Sequence, residues 1–176
     1  MARFVNTAAD LPASLAQHFV PFSFEYPRSW VLTGADGSNF VKVEQKTGDG
    51  QTVENFAVGW FEHPPDPTVT RTLYPTLVGQ LSGQFAAQFP NYEKVSEGEA
   101  MVAGVAGYEM RFRGWAPDDG SDRVDFWGRA VLLPGPTGKG VALVMIATSN
   151  SSSVRGPDDV GVKGTLPAIL STFRLN

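Results

Sequence analysis

The sequence predicts an α+β fold in which helices pack an antiparallel β-sheet. Three observations lead there. Runs of alternating apolar and polar residues recur along the chain, as strands with a period of two require. One segment, Pro75 to Phe89, instead carries the three–four apolar spacing of a helix with one buried stripe. The strands also fall in consecutive runs rather than alternating with helices, which argues against a βαβ series.

In chain order, residues 1–20 form a lead-in with one amphipathic piece, Asp10 to Phe19. There Asp10 or Thr7 caps a short helix, with Pro12 in its first turn. Phe22, Phe24 and Tyr26 alternate with Ser23 and Glu25 in a strand that Pro27 ends. Trp30 to Leu32 resume an extended run up to the turn at 34–37. Phe40–Glu44 and Val53–His63 then make a hairpin across the turn at 47–50, with Phe56, Val58 and Trp60 on one face. Pro64, Pro65 and Pro67 are expected to break all regular structure before the helix.

The helix stripe is Tyr74, Val78, Leu81, Phe85 and Phe89, with Leu77 beside it. Pro75 falls in the first turn, where its missing N–H costs nothing, and Pro90 ends the helix. Four strands follow: Tyr92 to Ala100, Tyr108 to Trp115, Arg123 to Leu133 and Val141 to Thr148. The last is apolar on both faces, as befits a central strand covered on both sides. A final helix over Val162 to Ser171 buries Leu166, Ile169 and Leu170, with Phe173 just beyond.

The chain of 176 residues reads as one domain, 1–176, long enough to bury roughly two-thirds of its unfolded surface without staples. A net charge of −4 argues against non-specific nucleic-acid binding. Cysteine is absent, which removes disulfides, thiolate metal sites and cysteine nucleophiles together. No stretch approaches the ~20 apolar residues of a membrane span. Met1 to Asn6 lack the charged and apolar regions of a signal peptide, so cytoplasmic residence is the plain expectation, although a chain trimmed of an export signal reads the same.

Catalytic motifs are missing. The two histidines, His18 and His63, have no serine nucleophile motif or metal-ligand spacing around them, and read as ordinary surface or edge residues. The Gly135–Gly140 stretch resembles a phosphate loop but joins two apolar strands, so a hairpin turn accounts for it better. Asp118, Asp119, Asp122 and Asp125 crowd around Gly120. They lack EF-hand spacing, so a solvated turn is expected, with Asp118, Asp119 and Asp122 as weak cation candidates. No cofactor is expected.

The late hairpin carries a richer pattern. Alternation puts Glu109, Arg111, Arg113 and Trp115 on one face of their strand, opposite Tyr108, Met110 and Phe112. On the next strand Arg123, Asp125, Trp127 and Arg129 share a face. Hairpin pairing must bring the two polar faces to the same side of the sheet. That side then holds four of the nine arginines and two tryptophans. Cross-strand ion pairs on a half-solvated sheet explain it structurally. Arginine and tryptophan are also the residues that anchor protein interfaces, and arginine suits carboxylate or phosphate ligands.

The segment Phe22-Ser23-Phe24-Glu25-Tyr26-Pro27-Arg28-Ser29-Trp30 resembles the F-x-F-x-Y-P-x-x-W opening strand and turn of the Mog1/PsbP-like superfamily, which includes bacterial domains of unknown function. The likeness extends to the Tyr74–Phe89 helix and to the closing Leu166–Leu175 segment. It implies an α/β/α sandwich around an antiparallel β-sheet and a non-catalytic role. Relatives serve as extrinsic subunits of photosystem II, as partners of a nuclear transport GTPase or as bacterial proteins of unknown purpose. No site residue carries over, because no shared site motif is matched here. No photosynthetic targeting segment is evident, which counts against a true PsbP role.

The expected role is therefore an accessory module that binds another protein through the Arg/Trp face or the proline-rich loop at 64–67. Two alternatives stand beside it. One is a small-ligand carrier with a pocket between the Pro75–Phe89 helix and the sheet, marked by an apolar cavity near Trp60 or Trp115. The other is an enzyme taking its acid or base from Asp118 to Asp125.

Overall fold

A computed structural model of the chain describes residues 1–117 and 123–176. In order, its elements are β1 (Ala2–Val5), α1 (Ala13–Ala16), β2 (Phe22–Tyr26), β3 (Val31–Thr33), β4 (Asn39–Lys46) and β5 (Thr52–Glu62). Then come α2 (Pro67–Gln88), β6 (Glu93–Val102), β7 (Val105–Pro117), β8 (Arg123–Leu133), β9 (Lys139–Thr148), α3 (Leu166–Thr172) and β10 (Arg174–Leu175). Seven strands form one antiparallel sheet in the order β3-β4-β5-β9-β8-β7-β6. β1, β2 and β10 form a second, smaller sheet with β2 in the middle.

β9 takes the central place of the large sheet, as its two apolar faces require. Its alternate side chains feed two separate cores. On one face Leu143 and Met145 join Phe56, Phe22, Phe24, Phe40, Ile169 and Phe173 beneath α3 and the small sheet. On the other, Ala142 meets Met110, Phe112, Phe126, Ala130 and Leu132 under Tyr74, Val78 and Phe85 of α2. The result is a three-layer α+β sandwich in which α2 forms one outer layer; α3 and the small sheet form the other.

The long helix begins eight residues earlier than its apolar spacing indicated. Asp66, expected within a break, caps the first turn by accepting a hydrogen bond from the Thr68 N–H at 2.8 Å. Pro67 then fills the first helical position, where proline is tolerated. Pro75 consequently lies inside the helix, where its ring removes a donor that would ordinarily meet the Arg71 carbonyl. Thr70, buried one turn before Tyr74, extends the stripe.

The ends differ as well. Residues 1–20, read as a lead-in with one helix, contain β1, a 3-10 turn at Ala8–Asp10 and the four-residue α1. β1 pairs with β2, an interaction set by the partner and not by its own four residues. The last helix starts at Leu166 rather than Val162, because Gly161 and Gly164 adopt left-handed backbone conformations at φ of 75° and 76°.

β7 and β8 pair in the register that the alternation required, with Arg113 opposite Trp127 and Arg111 opposite Arg129. On the α2 side of this pair Phe112 lies opposite Gly128, and Phe126 opposite Gly114. Each ring covers its cross-strand glycine, so a Cβ added at either glycine would come inside 3.0 Å of the ring carbons. The repeated Phe-x-Gly pattern of the two strands thus builds one reciprocal joint.

Candidate functional site

The Arg/Trp face divides into an inner and an outer part. In the inner part Glu109 lies between two guanidinium groups, accepting from Arg111 Nε at 3.2 Å and Arg129 Nε at 2.8 Å. Arg111 also donates through Nη1 to the backbone carbonyls of Pro157 at 2.6 Å and Val160 at 3.2 Å. Those carbonyls belong to the turn that leads to α3, which folds over the sheet here. All three charged side chains are at most 16% exposed. Arg111 and Arg129, read as outward-facing from alternation, are therefore enclosed and ion-paired, since a segment distant in sequence covers them.

The outer part is open. Arg113 pairs with Glu93 through its Nε at 2.8 Å, and both side chains are more than half exposed. Arg123 donates to Asp125 Oδ1 at 2.8 Å, and its guanidinium carbon sits 5.0 Å from the centroid of the Trp115 ring. Trp115 is 37% exposed. Trp127 is half-buried and leans on the larger core. Asp125 is tied to the following linker, its N–H donating to Ser149 Oγ at 3.2 Å and its carbonyl accepting from the Ser149 N–H at 2.8 Å. Asp118, Asp119 and Asp122 lie outside the described residues. Among the described residues no group of three or more histidine and acidic side chains has a metal-binding arrangement.

A second feature was not read from the sequence. The first turns of α2 overhang the β6–β7 hairpin and the turn at 134–136, leaving a cleft of about 750 Å³. Its walls include Pro65, Tyr74, Met101, Ala106 and Pro136, with the Arg71–Glu99 ion pair at the rim. Burial pushes the Tyr74 phenol above its usual range, so it stays neutral. Neither Trp60 nor Trp115 lines the cleft, and it meets the helix before Pro75. His63 lines it, half-buried rather than an ordinary edge residue. His18 also departs from expectation, stacking on Trp60 with ring centroids 3.4 Å apart and lying 3.1 Å from Glu62 Oε1. One signal in the sequence did point to the cleft: Asp66-Pro67 is a helix-start pair, and a helix begun there brings Thr70 back toward His63.

With this geometry in place, the class is defined by fold: an antiparallel α+β sandwich of PsbP-like type. Neither a protein-family model nor a curated protein sequence matches the chain. Among solved structures, cyanobacterial PsbP (CyanoP) from Synechocystis sp. PCC 6803 is similar at 19% identity and a TM-score of 0.61, covering 99% of this chain and 92% of its own. LpqN of Mycobacterium tuberculosis, described as involved in cell envelope biogenesis, is similar at 12% identity and a TM-score of 0.46, covering 73% of this chain and 72% of its own. A protein of unknown function from Pseudomonas aeruginosa, a putative regulator by its description, reaches 8% identity and a TM-score of 0.34, covering 71% and 72%. The first likeness shows the PsbP-like fold, in agreement with the resemblance read from the opening strand. No helix of the described residues is long and apolar enough to cross a membrane.

Proposed function

We propose that the chain is a non-catalytic accessory module that docks another protein at the open end of the Arg/Trp face. The observation that carries this reading is the exposed Trp115 ring with the Arg123 guanidinium above it, beside Arg113 and Trp127. Tryptophan and arginine supply large contact areas and rigid hydrogen-bond forks, and they dominate interface hot spots. The Arg113–Glu93 and Arg123–Asp125 pairs are solvated, so opening them costs little. A partner can therefore recruit both guanidiniums. The enclosed Arg111–Glu109–Arg129 group acts differently, holding the platform beneath them in one geometry.

The test is affinity capture from the native organism with the unaltered chain and with Arg113→Ala, Trp115→Ala and Arg123→Ala, each checked for an unchanged melting temperature. A captured protein should lose about tenfold or more in affinity with at least one variant, as removal of a hot spot does. Partners retained at full affinity by all three variants would refute the docking face.

A further inference from the structure

We propose that the cleft under the first turns of α2 binds a small, neutral, mostly apolar molecule whose carbonyl or ether oxygen accepts a hydrogen bond from the Tyr74 hydroxyl. The space exists because the core stops short of the helix. On the face of β7 beneath α2, Phe112 and Met110 are wholly buried, and Tyr108 stacks flat on Tyr74 with ring centroids 5.4 Å apart. The next residue on that face is Ala106, too small to continue the filling. From Tyr74 the helix still runs back about two turns to Pro67, and so overhangs the gap. Thr70 fixes one wall, donating from Oγ1 to the Pro64 carbonyl at 2.8 Å. Pro65, Pro67, Pro134 and Pro136 stiffen the rest and bring no N–H of their own.

Tyr74 supplies the polar contact. A long side chain on a helix leans toward the N-terminus, over the residues three and four positions before it. For Tyr74 these are Arg71 and Thr70, and both line the cleft with it, so the phenol reaches into that space. The residue is only 6% exposed, and its hydroxyl has no hydrogen-bond partner among the described residues. The hydroxyl is nevertheless accessible, because the one sealed, unpaired side-chain nitrogen or oxygen among those residues belongs to His63. As a neutral phenol it holds a proton that an acceptor brought by the ligand can take up. The cleft holds about 750 Å³, within the roughly 300–1,000 Å³ of small-molecule sites. A neutral ligand is favoured because Arg71 and Glu99 at the rim already balance one another. Met101, 65% exposed at the mouth, offers an adaptable apolar lip.

The test uses two probes with one apolar body, 2-acetylnaphthalene and 2-isopropenylnaphthalene, in which a methylene replaces the carbonyl oxygen. Titrated into the full chain, both should bind. Tyr74→Phe should weaken the acetyl probe about three- to tenfold, the range of one net hydrogen bond, and leave the isopropenyl probe unchanged. Ala106→Trp, at an exposed position of the hairpin, should block both by filling the floor. Failure of the acetyl probe to bind, binding that survives Ala106→Trp, or an equal effect of Tyr74→Phe on the two probes would overturn the proposal. Should Tyr74→Phe not fold, the ¹³C resonance of Tyr74 Cζ in the unaltered chain decides. It must move further with the acetyl probe than with the isopropenyl one, and equal movement overturns the proposal.

Discussion

Gly128→Ala tests the joint that carries the Arg/Trp face. The added methyl would land inside 3.0 Å of three carbons of the Phe112 ring, closer than real Cβ atoms come. Phe112 is wholly buried, with its ring centroid 5.2 Å from Phe85, 5.5 Å from Tyr92 and 6.0 Å from Phe89. The ring has no solvent to swing into, so it must tilt and push α2 outward. Overpacking of this kind costs about 1–3 kcal/mol, and complete loss of a buried phenylalanine about 3–5 kcal/mol sets the ceiling. We expect about 2–3 kcal/mol, which for a chain of this length lowers the melting temperature by roughly 5–10 °C.

Urea unfolding followed by the fluorescence of the four tryptophans gives the number. Gly98→Ala in β6 is the control, since a Cβ there meets nothing within 4 Å. In a Phe112→Ala background the Gly128→Ala change should become nearly neutral, giving a coupling of about 2 kcal/mol or more. A loss within about 0.5 kcal/mol of the unaltered chain, or strictly additive effects, would refute the steric account.

Two further outcomes follow from the charged groups. Glu109→Ala leaves the enclosed Arg111 and Arg129 directly opposite one another without their shared carboxylate. Breaking a fully buried pair costs about 3–5 kcal/mol; discounted for partial exposure, about 2 kcal/mol is expected by chemical denaturation, with no loss for Glu93→Ala at the exposed pair. Glu44 supplies a pH effect. Burial by itself would raise its carboxyl, but the Thr52 hydroxyl and the Lys42 and Lys46 ammonium groups outweigh that and hold it below its ordinary value of 4.5. Its contribution to stability is therefore fully present above pH 4.5 and is lost as the pH falls through the depressed value. Melting temperatures measured from neutral pH down to acid should fall less steeply for Glu44→Gln than for the unaltered chain.

The strands were legible because their signal is local. Phe22-Ser23-Phe24 and Val141–Thr148 declare their faces residue by residue, and the centrality of β9 follows from apolar side chains on both sides. The start of α2 was misread for a reason that is equally local: prolines 64, 65 and 67 look like a break, yet Asp66 and Pro67 together make a helix start. β1 was invisible because Ala2–Val5 is too short for a periodic signal and is extended only by pairing with β2.

The Arg/Trp face shows where local reasoning stops. Alternation on two strands joined by a turn was enough to place Arg111, Arg113, Trp115, Arg123, Asp125, Trp127 and Arg129 on one side of a sheet, because side-chain direction is set by the strand's own period. Whether that side meets water was decided by the turn at 157–160, more than 25 residues further along than Arg129, whose carbonyls reach Arg111. His63 is the same case in reverse. Its residue type and neighbours look ordinary, and only the packing of α2 over the β6–β7 hairpin and the 134–136 turn forms the cleft that His63 lines. The absence of cysteine and of any catalytic motif, the faces of the long strands and the composition of the polar face were determined by the sequence alone. Which part of that face stays open, and the existence of the cleft, came from tertiary structure, because covering segments are chosen by long-range burial that leaves no periodic trace in the residues they cover.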